Sequence, residues 1–163
     1  MLFFISLATR RIEYAPCTSN PDGGWAAQQA RNLMMQLGDE QPFRLLIHDR
    51  DTKFGGAFGE VFRSEGMKVI RTPVRAPNAN AHAERWVRTV RADCLDRILI
   101  VGRRHLERVL RVNVRHYNEH RPHRALGLVP PDRSAPVPPA TLPLRVHRRD
   151  LLGGLIHEYE AAA

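Results

Sequence analysis

The sequence predicts an α/β fold. Three observations carry that prediction: short apolar runs, longer stretches with apolar residues at helical spacing, and Gly/Pro-rich breaks between them. Residues 2–7 form a continuous apolar run and residues 11–15 alternate, so they read as two strands joined by a turn at 8–10. Residues 17–24 form a turn-rich loop. Residues 25–37 follow as a helix with Ala26, Ala30, Leu33 and Leu37 on one stripe, ended by Gly38. Residues 43–47 read as a short buried strand. Phe54, Phe58, Val61 and Phe62 then give helical spacing closed by Gly66. Residues 68–71 form another strand, stopped by Thr72-Pro73, and residues 73–80 a loop. One helix is expected from about 81 to 94, and a further one over 103–119 with Leu106, Val109, Leu110, Asn113 and Tyr117 inward. Residues 129–143 hold six prolines and read as a stiff extended linker. Residues 144–163 are left as a short tail with one apolar block at 151–156.

Length and composition suit one domain with a real core: 163 residues, 43% hydrophobic. Two cysteines, Cys17 and Cys94, make no disulfide framework and read as reduced thiols of a cytosolic protein. No run reaches the roughly 18 to 20 apolar residues that span a bilayer. The apolar start lacks a basic flank before it, so it reads as a strand and not as a signal core.

The net charge of +8 is unevenly spread. Residues 1–84 carry 10 basic and 9 acidic side chains, residues 85–149 carry 15 and 5, and residues 150–163 carry three acids and no base. A basic second half points to a polyanion partner. The cations are Arg except for Lys53 and Lys68. Guanidinium grips phosphate through paired hydrogen bonds, which suits nucleic acid. A GC-rich codon bias would raise Arg over Lys equally well, but does not account for the clustering.

Three segments could carry chemistry. His48-Asp49-Arg50-Asp51 follows the strand at 43–47, and sites in open α/β sheets form at the carboxyl ends of strands. Asp51 reads as the cap of the next helix and Asp49 as the candidate metal ligand. Glu84 lies with Arg88 and Arg91 at i, i+4, i+7, apart from the apolar stripe Ala83, Val87, Val90 and Cys94. On spacing alone that face is an ordinary salt-bridged surface. The loop before it ends in Asn80, which reads as a helix cap, and its backbone N–H groups could hold phosphate. Last, His116, His120 and His123 crowd one segment. The paired Cys ligands of a zinc site are missing, so a helix ending before Pro122, with Arg121 and His123 exposed, is the simpler reading.

Taken together, the strings 47–54, 72–85 and 117–126 resemble the integrase core shared by retroviral integrases and many insertion-sequence transposases, over roughly residues 2–131. Asp49 and Glu84 lie 35 positions apart, an interval typical of that family's last two acids. The resemblance implies an RNase H-like mixed sheet flanked by helices, and DNA strand transfer by three carboxylates around two divalent metals. Asp49 would be the second acid and Glu84 the third, holding Mg²⁺ or Mn²⁺. Arg88 and Arg91 fall where the family's helix often bears basic residues that touch DNA ends, and Asn80, Arg85 and Arg121 are the further candidate DNA contacts. No residue here matches the family's first acid. Met1 falls inside or just before its second strand, so the core is expected to lack the first, central strand. The metal is then expected to bind weakly, and the chain alone to transfer little DNA.

The expected domains are 1–128 as the integrase core, 129–143 as linker and 144–163 as tail. The expected setting is cytoplasmic. DNA is the expected partner, with a second copy or an intact transposase as protein partner, and no membrane. Two further readings stand beside strand transfer: a non-catalytic DNA-binding remnant that interferes with an intact transposase, and an RNase H-like nuclease of another kind. The string at 117–126 argues against the last.

Overall fold

The computed structural model describes residues 1–39, 41–73, 80–132 and 145–161. They form a mixed α/β chain divided into two compact units: residues 1–3 with 16–85, and residues 4–15 with 86–163.

In the first unit, helix α1 (Gly23–Leu37) starts where the Asp22 carboxylate accepts the Trp25 N–H at 2.7 Å. It stops at Gly38, whose φ of 71° is the left-handed backbone that ends a helix. Half of its buried residues are alanine, with Ala26, Ala27 and Ala30 at most 2% exposed. Small side chains let α1 approach α2 (Ala57–Ser64) closely. From α2, Phe58 and Phe62 enter the core with ring centroids 5.2 Å apart.

Strands β3 (Leu45–His48) and β4 (Lys68–Arg71) flank α2 and pair in parallel, with Ile47 opposite Ile70 and His48 opposite Arg71. This is a βαβ unit, and it places the loop after β3 at the carboxyl end of the sheet. The expectation that residues 43–47 are a buried strand is corrected: Leu45 is 54% exposed and Ile47 40%. The two-residue period turns His48 toward α2, where its ring meets Phe54 and Phe58, and leaves the alternate side chains outward.

In the second unit, β1 (Phe4–Ile5) and β2 (Ile12–Tyr14) make the expected antiparallel hairpin, turning through Arg10 at φ 66°. The long helix α4 (Gly102–Glu119) buries Val109, Leu110, Asn113, Tyr117 and Asn118. Asn118 grips β2 by both ends of its amide: Oδ1 accepts the Ile12 N–H, and Nδ2 donates to the Ile12 carbonyl, each at 2.9 Å. Residues 144–163, expected as a tail, include a hairpin of β5 (Val146–Leu151) and β6 (Ile156–Ala161), turned by Gly153 and Gly154 at positive φ. Its Ile156 and Glu158 are buried.

Helix α3 (Ala81–Val90) ends earlier than the expected helix to residue 94. It passes into a π turn at Arg91–Leu95, closed by the Asp96 N–H on the Arg91 carbonyl at 2.9 Å. The inward stripe is accordingly Trp86, Val90 and Cys94, each at most 1% exposed, while Ala83 and Val87 are only half-buried. Among the described residues the strands form three two-stranded sheets, β1-β2, β3-β4 and β5-β6. The linker expected at 129–143 lies, from residue 133 onward, outside the described residues, as do residues 74–79 of the expected loop.

Candidate functional site

The segment after β3 is held by its own backbone. The Asp49 carboxylate accepts the Asp51 N–H through Oδ1 at 3.0 Å, an Asx turn that leaves Oδ2 uncommitted among the described residues. Arg50 donates from Nε to the Thr72 carbonyl at 3.1 Å, tying the loop to the end of β4. Asp51 is fully engaged. Its Oδ1 accepts the Lys53 N–H at 3.0 Å, capping a short 3-10 turn at Thr52–Phe54, and its Oδ2 pairs with the Lys53 ammonium. The hydrogen bond from the Lys53 side chain, joined by that from its backbone N–H, holds the Asp51 carboxyl below its ordinary value. Asp51 is thus a cap, and Asp49 is the exposed carboxylate at the strand end.

Glu84 lies in the first turn of α3, exposed, where the positive end of the helix dipole favours a carboxylate. It makes no hydrogen bond or ion pair among the described residues. Asn80 is half-buried just before α3, and Arg85 and Arg88 are exposed on it. Arg91 opens the π turn, exposed, with Nε on Asp96 Oδ1 at 3.1 Å. An exposed pair of that kind contributes at most about 1 kcal/mol, so phosphate can displace it. Arg121 and His123, expected to face solvent, are half-buried: Arg121 pairs with Asp93, and His123 packs edge-on against Tyr117 at 4.5 Å. Asp49, Asn80, Glu84 and Arg85 belong to the first unit, and Arg88, Arg91 and Arg121 to the second.

The donor chemistry of Asp49 and Glu84 suits Mg²⁺ or Mn²⁺. Both offer hard carboxylate oxygens open to solvent, and Mg²⁺ commonly takes one or two carboxylates and completes its shell with water and phosphate. No group of three or more His, Cys, Asp or Glu side chains that could hold a metal occurs among the described residues. The histidine cluster serves the fold. His116 Nδ1 lies 3.3 Å from Glu158 Oε1, His120 Nε2 lies 3.8 Å from the same oxygen, and Glu158 is 1% exposed. Burial lowers the His116 and His123 pKa values, with Glu158 and the Tyr117 carbonyl opposing. Burial also pushes the Cys94 thiol up to about 11, an inert core thiol.

Residues 65–131 match the integrase core domain family. The matched stretch contains α3, the π turn, α4 and the string at 117–126, hence Glu84 and the five proposed DNA contacts; Asp49 lies before it. The match supports an integrase or transposase catalytic core and, in general terms, DNA integration or transposition. Proteins of this family act on DNA and generally depend on a divalent metal. No curated protein matches the chain. No helix among the described residues is long and apolar enough to cross a membrane.

Proposed function

We propose that the chain is the DNA strand-transfer core of a transposase, cytoplasmic, in which Asp49 and Glu84 bind one divalent cation and Asn80, Arg85, Arg88, Arg91 and Arg121 bind DNA phosphates. The carrying observation is the exposed Asp49 carboxylate at the end of β3, its Oδ2 uncommitted among the described residues, beside an Asp51 consumed by Lys53, 35 residues before the acid that opens α3. Residues 1–128 form the core piece in this reading, with an RNase H-like arrangement of its strands. Residues 129–143 link it to residues 144–163.

Asp49 and Glu84 would hold the divalent cation beside the reacting phosphate, and the arginines hold the DNA backbone while it is cut and rejoined. A bound Mg²⁺ contributes Lewis-acid polarisation of the phosphoryl oxygens. Arg91 and Arg121 bind by exchanging Asp96 and Asp93 for phosphate. Two carboxylates fill only part of a two-metal site, so strand transfer by this chain alone is expected to be very low. The test is a Mg²⁺ strand-transfer assay on a short duplex, comparing this chain with one extended at Met1 by an Asp-bearing strand. The extended chain should join DNA ends, and Asp49→Asn or Glu84→Gln should remove that activity by a factor of about 100 or more. A folded, extended chain that stays inert, or retains activity in both variants, contradicts the proposal.

The second reading is a DNA-binding protein without catalysis that interferes with an intact transposase. It is favoured by the count of acids, since the matching strings supply two ligands of three. It expects duplex binding that needs no metal.

A further inference from the structure

Helix α4 carries a row of charge opposite its buried face. Arg104, Arg108, Arg111 and Arg115 follow one another at steps of four, three and four residues, and all four are exposed. Those steps keep side chains on one face of a helix. At 1.5 Å per residue the row is about 16 Å long. Among the described residues, none of the four forms an ion pair or hydrogen bond. The acids near them are engaged elsewhere: Glu107 faces Arg103 at 3.5 Å, and Glu119 faces His120 at 3.8 Å. Like charges at i, i+4 weaken a helix by a few tenths of a kcal/mol per pair, a cost relieved when an anion lies along the row.

We propose that the face of α4 bearing Arg104, Arg108, Arg111 and Arg115 lies along the phosphate backbone of duplex DNA, as a sequence-independent contact separate from that of Arg85, Arg88 and Arg91. The proposal rests on the DNA-acting reading for the identity of the polyanion. Three features select this occupant. Guanidinium takes phosphate oxygens in pairs, so arginine in every position suits phosphate. Each strand carries one phosphate per about 3.4 Å of duplex axis, a density of negative charge that an uninterrupted row of four cations matches. No Phe, Tyr or Trp interleaves the four arginines, which removes the stacking platform that single-stranded nucleic acid requires.

The test uses the full chain and a fluorescein-labelled random-sequence duplex of about 30 base pairs, with anisotropy read from about 50 to 200 mM salt. A variant with all four arginines changed to Gln should make the slope of log affinity against log salt shallower by about three to four. Changing the same four to Lys should retain the slope to within about one. Both should keep the wild-type circular dichroism spectrum, since the side chains are exposed and good helix formers replace them. A wild-type slope in the Gln variant, beside weakened binding in an Arg88→Gln/Arg91→Gln variant, overturns the role of the row and leaves the DNA reading standing. Tighter binding to polyglutamate than to the duplex also overturns it, by making an acidic protein the partner. Absence of salt-dependent duplex binding by the wild-type chain overturns the DNA reading and this proposal with it.

Discussion

Asn118 shows how one side chain can join segments far apart in sequence. It sits 106 residues from Ile12, and its amide satisfies both the N–H and the carbonyl of that buried residue. Asn118→Ala leaves two buried backbone groups unpaired, at about 1–3 kcal/mol each. Urea denaturation should therefore show a loss of about 2–6 kcal/mol. A loss below about 1 kcal/mol would mean that water replaces both bonds. Nothing in local spacing announces this role, because the partner is set by the tertiary fold. The same holds for Glu158, which reads as one acid of a charged tail yet is buried against His116 and His120.

The histidines make stability depend on pH with a definite sign. His116 and His123 both have pKa values lowered below 6.5, chiefly by burial. His116 faces Glu158, Arg121 and His120, and His123 faces Arg121 and the Tyr117 carbonyl. A depressed histidine means that the unfolded chain binds the proton more readily. Its contribution is therefore complete above about 6.5 and is lost as pH falls through the lowered values. Glu13, raised by burial against the pull of Arg11, acts with the opposite sign but in a window nearer its ordinary 4.5. The urea midpoint should fall between pH 7.5 and pH 6.0, and a His116→Gln/His123→Gln variant should lose less. An equal fall in both proteins would place the titrating group elsewhere.

At the scale of elements, what could be read in the sequence was what local chemistry decides. The hairpin of β1 and β2, the glycine-terminated α1, and the inward face of α4 follow from spacing and turn residues. Two elements departed for identifiable reasons. The run at 43–47 is apolar apart from Arg44, which reads as a covered strand, but the described residues leave Leu45 and Ile47 exposed. The helix from residue 81 was expected to run to 94 at a regular period. The π turn inserts a residue after Val90, and the core stripe includes Trp86, four residues before Val90 on the same face of α3, which that period assigned to no stripe. The hairpin at β5 and β6 escaped notice because β5 is almost wholly exposed and charged. The strand finding is testable by comparing two substitutions. Leu45→Thr should change the free energy of unfolding by no more than about 0.5 kcal/mol. Phe58→Ala, which empties a core position 2% exposed, should cost about 3–5 kcal/mol. Similar costs for the two would mean that the outer face of β3 is covered in solution.

At the scale of the molecule, charge and ligand type mattered more than secondary structure. The surplus of basic residues over 85–149 is the sequence signal of a polyanion partner, and on α4 it resolves into an ordered row. Asp49 and Glu84 were readable as candidates through the order and interval of their strings, whereas the spacing around Glu84 alone suggested only a solvated face. The capping position and the interval already set Asp49 apart from Asp51, and the geometry adds that Lys53 engages both oxygens of Asp51. The central claim is that Asp49 and Glu84 share one cation, and Mn²⁺ titration of the full chain, followed by electron paramagnetic resonance, tests it most directly. The account predicts that Asp49→Asn and Glu84→Gln each weaken Mn²⁺ binding about tenfold or more, roughly 1.4 kcal/mol, that combining them adds little, and that Asp51→Asn leaves binding unchanged. Wild-type Mn²⁺ affinity in either single variant, or independent and additive losses from the two, would contradict it.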